Sequence, residues 1–89
     1  MAYTIRIERR AEKELRDIPR RDQERLLEAI ASLGEDPRPN GVKKYRSEER
    51  DIYRVRVGVY RIVYVIDDDR LLLLVIRVGH RKDVYRRRA

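Results

Sequence analysis

The chain has no cysteine and a single histidine, and lysine supplies only 4 of its 23 basic side chains. Without cysteine there is neither a disulfide framework nor a thiolate metal site. One histidine and no spaced carboxylate cluster are poor material for any other metal centre, and Asp67-Asp68-Asp69 reads as a turn rather than a ligand set. Long apolar runs are missing too: nothing approaches the ~20 residues of a membrane span, and the N-terminus does not follow the pattern of a secretory signal. These absences predict a soluble, cytoplasmic protein with no cofactor, no metal and no membrane partner.

What the chain does have is charge, at 44% of 89 positions. Ile, Leu and Val still number 25, above the roughly 20% floor below which chains stay unfolded, so a core is expected. The length predicts one domain over residues 1–89. The net charge of +7 is unevenly placed: residues 1–41 hold nine basic and nine acidic side chains, whereas residues 42–89 hold fourteen and seven. A localised basic excess is the footprint of a polyanion partner, because each neutralised phosphate releases counterions, and nucleic acid leads the candidates. Nineteen of the basic residues are arginines, whose planar fork of donors suits phosphate oxygens better than a point charge. For the neutral half the competing reading is a salt-bridged surface.

Tyr3-Thr4-Ile5-Arg6-Ile7 alternates with the period of a half-buried strand. Ala11, Leu15 and Ile18 recur at helical spacing up to Pro19, and Leu26, Leu27, Ile30 and Leu33 repeat the pattern up to Gly34, which predicts two helices joined at Pro19. Their polar positions carry mixed charge, such as Glu12, Arg16, Glu24 and Glu28, the makeup of a solvated face. Asp36-Pro37-Arg38-Pro39-Asn40-Gly41 is a loop. Beyond it the period changes to strands over Ile52–Val57, Tyr60–Ile66 and Leu71–Val78, with turns at Gly58-Val59 and Asp67-Asp68-Asp69, an antiparallel meander. The apolar run Leu71–Ile76 predicts a central strand covered on both faces. A short strand near Val42–Arg46 is weaker, and residues 83–88 form either a helical turn or a frayed end.

Alternation puts Arg54 and Arg56 on one face and Tyr53, Val55 and Val57 on the other. With Gly58-Val59 as a two-residue turn, Val57 pairs with Tyr60 and Arg56 with Arg61, so three arginines converge while Tyr53, Tyr60, Ile62 and Tyr64 collect beneath the helices. A one-residue slip would mix arginines into the core. Opposed like charges destabilise a sheet, which points to an anion in that space. The last strand returns beside Arg61, bringing His80, Arg81 and Tyr85 toward the rim of the same face.

The segment Ile52-Tyr53-Arg54-Val55-Arg56-Val57-Gly58-Val59-Tyr60-Arg61-Ile62-Val63-Tyr64, followed by Val78-Gly79-His80-Arg81 and Val84-Tyr85, resembles the RelE/ParE superfamily of type II toxins, the RelE branch most closely. The resemblance covers almost the whole chain. It implies a RelE-like α+β fold: an N-terminal strand, a two-helix hairpin and an antiparallel meander sheet. It implies a ribosome-dependent endoribonuclease that cleaves mRNA in the ribosomal A site and is held inactive by a cognate antitoxin. Arg61 matches a phosphate-stabilising arginine of the family, Arg81 the arginine that supports the leaving group, and Tyr85 the general base. Arg54 and Arg56 stand where the family usually has lysines; the charge is kept, but an arginine does not give up its proton, which argues against a general-base role there.

The implied chemistry is metal-independent attack of a ribose 2′-hydroxyl on its own 3′-phosphate. Guanidinium groups stabilise the extra negative charge of the pentacoordinate phosphorus. Nearby cations favour the phenolate of a base with a reference pKa of about 10. His80 stands either as an alternative acid or base or as a surface residue, and Tyr85 either as the base or as a C-terminal anchor. Lys43, Lys44, Arg46 and Lys82 are candidate contacts to ribosomal RNA, against the reading of ordinary solvated charge. Two other functions keep the same fold: a ParE-like inhibitor of DNA gyrase and a non-catalytic RNA-binding relative.

Overall fold

The computed structural model describes residues 2–46 and 50–80. Its elements run β1 (Thr4–Ile7), α1 (Arg9–Arg16), α2 (Arg20–Glu35), β2 (Lys43–Arg46), β3 (Asp51–Val57), β4 (Tyr60–Asp67) and β5 (Leu72–His80). The strands form one sheet in the order β1-β5-β4-β3-β2. β1 pairs with β5 in parallel, and every other pair is antiparallel. The expected α+β architecture is therefore present, with the meander extended by β2 at one edge and closed by β1 at the other.

Both helices lie on one face because their apolar positions repeat at helical spacing. Ala11 and Leu15 of α1 and Leu26, Ile30 and Leu33 of α2 are buried against Tyr53, Ile62, Tyr64, Leu73, Val75 and Val78 of the sheet. The helices break at Pro19, where Gln23 donates its side-chain amide to the carbonyl of Ile18 at 2.8 Å. α2 continues through Gly34 to Glu35 rather than stopping there. Gly34 serves a close approach: a Cβ on it would lie 3.0 Å from Ile5 Cδ1 and 3.3 Å from the carbonyl of Tyr3. β1 ends opposite Val75, which leaves the far end of β5 with an open edge. Glu14 of α1 closes it, accepting from the Val78 amide at 2.8 Å and from Arg77 Nε at 2.9 Å.

β5 departs from expectation in two ways. It is central, but among the described residues only its helix-facing side chains Leu73, Val75 and Val78 are fully buried. Leu72, Leu74 and Ile76 are half-buried, and Leu72 and Leu74 line an open depression beside Val65 and the β4–β5 turn. The spacing of the buried set is also irregular, because the β4–β5 register shifts between Val63 and Tyr64: Val63 opposes Arg77, and Tyr64 opposes Val75. Ile76 is the extra residue of this bulge, which lets Val75 and Val78 both face the core. The β4–β5 turn closes with Leu71 at a φ of 51°, and Asp67 and Asp68 stabilise it. Asp67 accepts from the Arg70 amide at 3.2 Å, and Asp68 accepts from the Tyr3 hydroxyl at 2.6 Å and from Arg38 at 2.9 Å. No helix among the described residues is long and apolar enough to cross a membrane.

Three tyrosines tie the fold to its ionisation. Burial pushes the Tyr64 phenol well above the usual tyrosine range, with Tyr53 adding to the shift and Arg38 opposing it. Tyr60 is raised by desolvation and by its bond to Asp22, and Tyr3 by its bond to Asp68. A pKa raised on folding contributes stability that is complete below the unfolded value and disappears as pH rises through the folded one. Stability is therefore expected to hold up to about pH 10 and to fall above it. Urea titrations across that range, beside phenolate absorbance, check this; Tyr64→Phe is expected to flatten the alkaline slope.

Candidate functional site: an arginine depression on the open sheet face

The β3–β4 hairpin turns at Gly58, whose φ of 62° suits a residue without a Cβ. That turn fixes the register: Val57 opposes Tyr60, Arg56 opposes Arg61 and Arg54 opposes Val63, as the sorting of side chains predicts. Beneath the helices Tyr53 and Tyr64 stack at 5.8 Å between ring centroids, and the Tyr64 hydroxyl donates to the carbonyl of Pro37 at 2.7 Å. The other face gathers the cations. Arg54, Arg56 and Arg61, with Lys43 of β2 and Gly41 of the preceding loop, line a depression of about 310 Å³.

Each member arrives for a local reason. Lys43 opposes Arg54 directly, and Gly41, at a φ of 89°, turns the chain into β2. Arg61 is only 6% exposed, although the Arg56 directly opposite it is open to solvent. Its partner across β5 is Gly79, which has no side chain to compete for the space. The described lining holds four cations and no carboxylate. Ion pairs elsewhere among the described residues include Arg38 with Asp68, Arg70 with Asp67 and Arg77 with Glu14. Four like charges around one small volume repel one another, and an anion placed among them is stabilised by all four. Guanidinium forks aimed into a common space can hold phosphate oxygens and stabilise charge that develops on them. Among the described residues no group of three or more His, Asp or Glu side chains gathers as metal ligands would.

His80 is not brought to this depression. It opposes Tyr60, with ring centroids 6.0 Å apart in an edge arrangement, and lines a separate depression with Glu14, Asp17 and Arg77. The reason is alternation: Gly79 faces Arg61, so the next residue turns to the opposite face. The basic residues of β2 also divide. Lys43 joins the arginines, whereas Lys44 and Arg46 reach Asp51 at 3.5 and 3.8 Å, and lysines on an edge strand also deter unwanted strand pairing. Arg81, Lys82 and Tyr85 lie outside the described residues.

One participant went unnoticed in the sequence. Tyr45 sits two residues beyond Lys43, on the same side of β2, with 44% of its surface open. The Arg54 guanidinium lies over its ring, 4.5 Å from the centroid, and hydrogen-bonds its hydroxyl. The alternation of Lys43-Lys44-Tyr45-Arg46 held the signal, but it points to the arginines only once β2 is known to pair with β3.

A family model described as the ParE toxin of the type II toxin–antitoxin system parDE matches residues 5–85. The chain is 36% identical over 88 residues to "Toxin RelG" of Mycobacterium tuberculosis, covering 98% of this chain and 100% of that one. It is 30% identical over 82 residues to the "mRNA interferase toxin RelE" of Escherichia coli, covering 92% and 86%. Among solved structures, the toxin–antitoxin complex RelBE2 of M. tuberculosis matches with a TM-score of 0.79 at 32% identity, covering 91% of this chain and all of the matched one.

Proposed function

Because this chain belongs to the RelE/ParE superfamily of type II toxin–antitoxin toxins, we propose that its arginine depression binds the scissile phosphate of mRNA and that the protein is a ribosome-dependent mRNA interferase. The observation that carries this reading is the convergence of Arg54, Arg56, Arg61 and Lys43 on one 310 Å³ depression. A relative of comparable length carries the name mRNA interferase.

In the proposed reaction the 2′-oxygen of one nucleotide attacks its own 3′-phosphorus, and the bond to the 5′-oxygen of the next nucleotide breaks. The 2′-hydroxyl proton passes to a base and a proton reaches the departing oxygen, giving a 2′,3′-cyclic phosphate and a 5′-hydroxyl end. Arg61, held rigid by burial, and the more exposed Arg54 and Arg56 stabilise the phosphorane oxygens. None of the three can serve as base. That part falls to Tyr85, and support of the leaving group to Arg81, on the family resemblance alone. The ribosome supplies orientation of the message in its A site, a contribution that can exceed that of any single side chain. An antitoxin is the proposed protein partner, since the matched structure is a toxin–antitoxin complex. An acidic, partly disordered segment folding over the arginines would neutralise them.

The matching family model is described as a ParE toxin, so gyrase inhibition is the rival reading. Toeprinting on programmed ribosomes with the purified protein separates the two. A-site cleavage with cyclic-phosphate ends is expected; folded protein that leaves the message intact and blocks gyrase supercoiling would establish the rival.

A further inference from the structure

Four of the five described tyrosines are tied into the fold. Tyr53 and Tyr64 are buried, while Tyr3 and Tyr60 donate their hydroxyls to Asp68 and Asp22. Tyr45 alone among them is exposed, on a strand that among the described residues stands at the edge of the sheet. An exposed aromatic ring there has no core to join. It stands beside the arginine depression, two residues along the strand from Lys43, a rise of about 7 Å, and shares Arg54 with the depression.

We propose that Tyr45, with the Arg54 guanidinium against its ring, is a stacking platform for an unpaired nucleobase of the RNA whose phosphate occupies the depression. This deepens the phosphate-binding reading of that depression and rests on it. The physical case has three parts. Aromatic rings and guanidinium planes are the surfaces on which splayed RNA bases stack. The cation over the ring holds Arg54 in place beside Lys43 despite their like charge. A nucleotide's base lies several ångströms from its phosphate, comparable to that rise along the strand, so one nucleotide can span the arginines and the ring. Arg54 then serves both, its charge toward the phosphate and its plane against Tyr45.

A simpler role for Tyr45 would be to position Arg54 without touching RNA, and the test must separate these. The probes are a short 2′-O-methyl oligoadenylate, which cannot attack its own phosphates, and the same 2′-O-methyl backbone with abasic units in place of adenine. Kd is measured for both at one fixed salt concentration with the wild type, Tyr45→Leu, Tyr45→Phe and Arg54→Ala. The wild type is expected to prefer the base-bearing strand about tenfold or more. Tyr45→Leu is expected to bring the two affinities together, losing much more on the base-bearing strand than on the abasic one, Tyr45→Phe to keep the preference, and Arg54→Ala to weaken both. Equal wild-type affinity for the two strands, or Tyr45→Leu weakening both equally, overturns the platform and leaves the phosphate site standing. Failure of the wild type to bind either strand overturns the phosphate site and the platform together.

Discussion

Arg61→Ala is expected to lower A-site cleavage about 10²–10³-fold, the usual cost of deleting one preorganised donor to a developing anion. The effect should exceed that of Arg56→Ala, because Arg61 is 6% exposed and Arg56 is open to water. A buried guanidinium works in a lower effective dielectric and needs no reorganisation when charge develops. Removing it also takes away the packing of a long aliphatic stem, so Arg61→Gln is the companion variant. Its side chain keeps much of the bulk and loses the charge, and it is expected to fall nearly as far as the alanine variant. Single-turnover cleavage on programmed ribosomes, beside thermal unfolding of each variant, provides the measurement. Full activity in a folded Arg61→Gln protein would remove Arg61 from the reaction.

Tyr64→Ala is expected to destabilise the fold by about 3–5 kcal/mol, the range for losing a large buried ring. Its side chain is fully buried, stacks on Tyr53 and bonds the carbonyl of Pro37. A domain of this length has a total stability of about 4–13 kcal/mol, so the variant should be largely unfolded under mild denaturant. Tyr64→Phe keeps the ring and strands one carbonyl, for a cost of about 1 kcal/mol. Urea midpoints of the pair separate packing from hydrogen bonding. If both variants match the wild type, the Tyr53–Tyr64 stack is not what holds the loop after α2 against the sheet.

The hairpin was legible because its two signals agreed. Gly58-Val59 fixed the turn, and only one register kept Arg54, Arg56 and Arg61 away from the tyrosines. β5 offered no such check, since Leu71 to Ile76 are all apolar and alternation cannot show which of them face the helices. The bulge at Ile76 lies inside that run, and it is set by tertiary pairing with β4. His80 departs from the expected rim of the arginine face because nearness to Arg61 along the ladder does not make a shared face: Gly79 opposes Arg61, and His80 opposes Tyr60. Gly34 has the type and position of a helix terminator; its actual constraint, the approach of Ile5 and the Tyr3 carbonyl, comes from residues about thirty positions earlier. Tyr45 was unreadable for a related reason, since a four-residue strand has no period until its partner is known.

The parallel pairing of β1 with β5 also sets an order of events during synthesis. Among the described residues β5 is an inner strand of the sheet, yet the last of its strands to be made, and β1, the first, pairs with β5 alone. α1 packs chiefly where β5 lies, and Glu14 waits for the Val78 amide. A nascent chain halted before residue 72 therefore holds two helices and an incomplete hairpin sheet with an unfilled core, however long it waits. The arginine surface is backed by the whole sheet only once β5 has taken its place between β1 and β4, which makes the arrival of that strand the step that completes the surface.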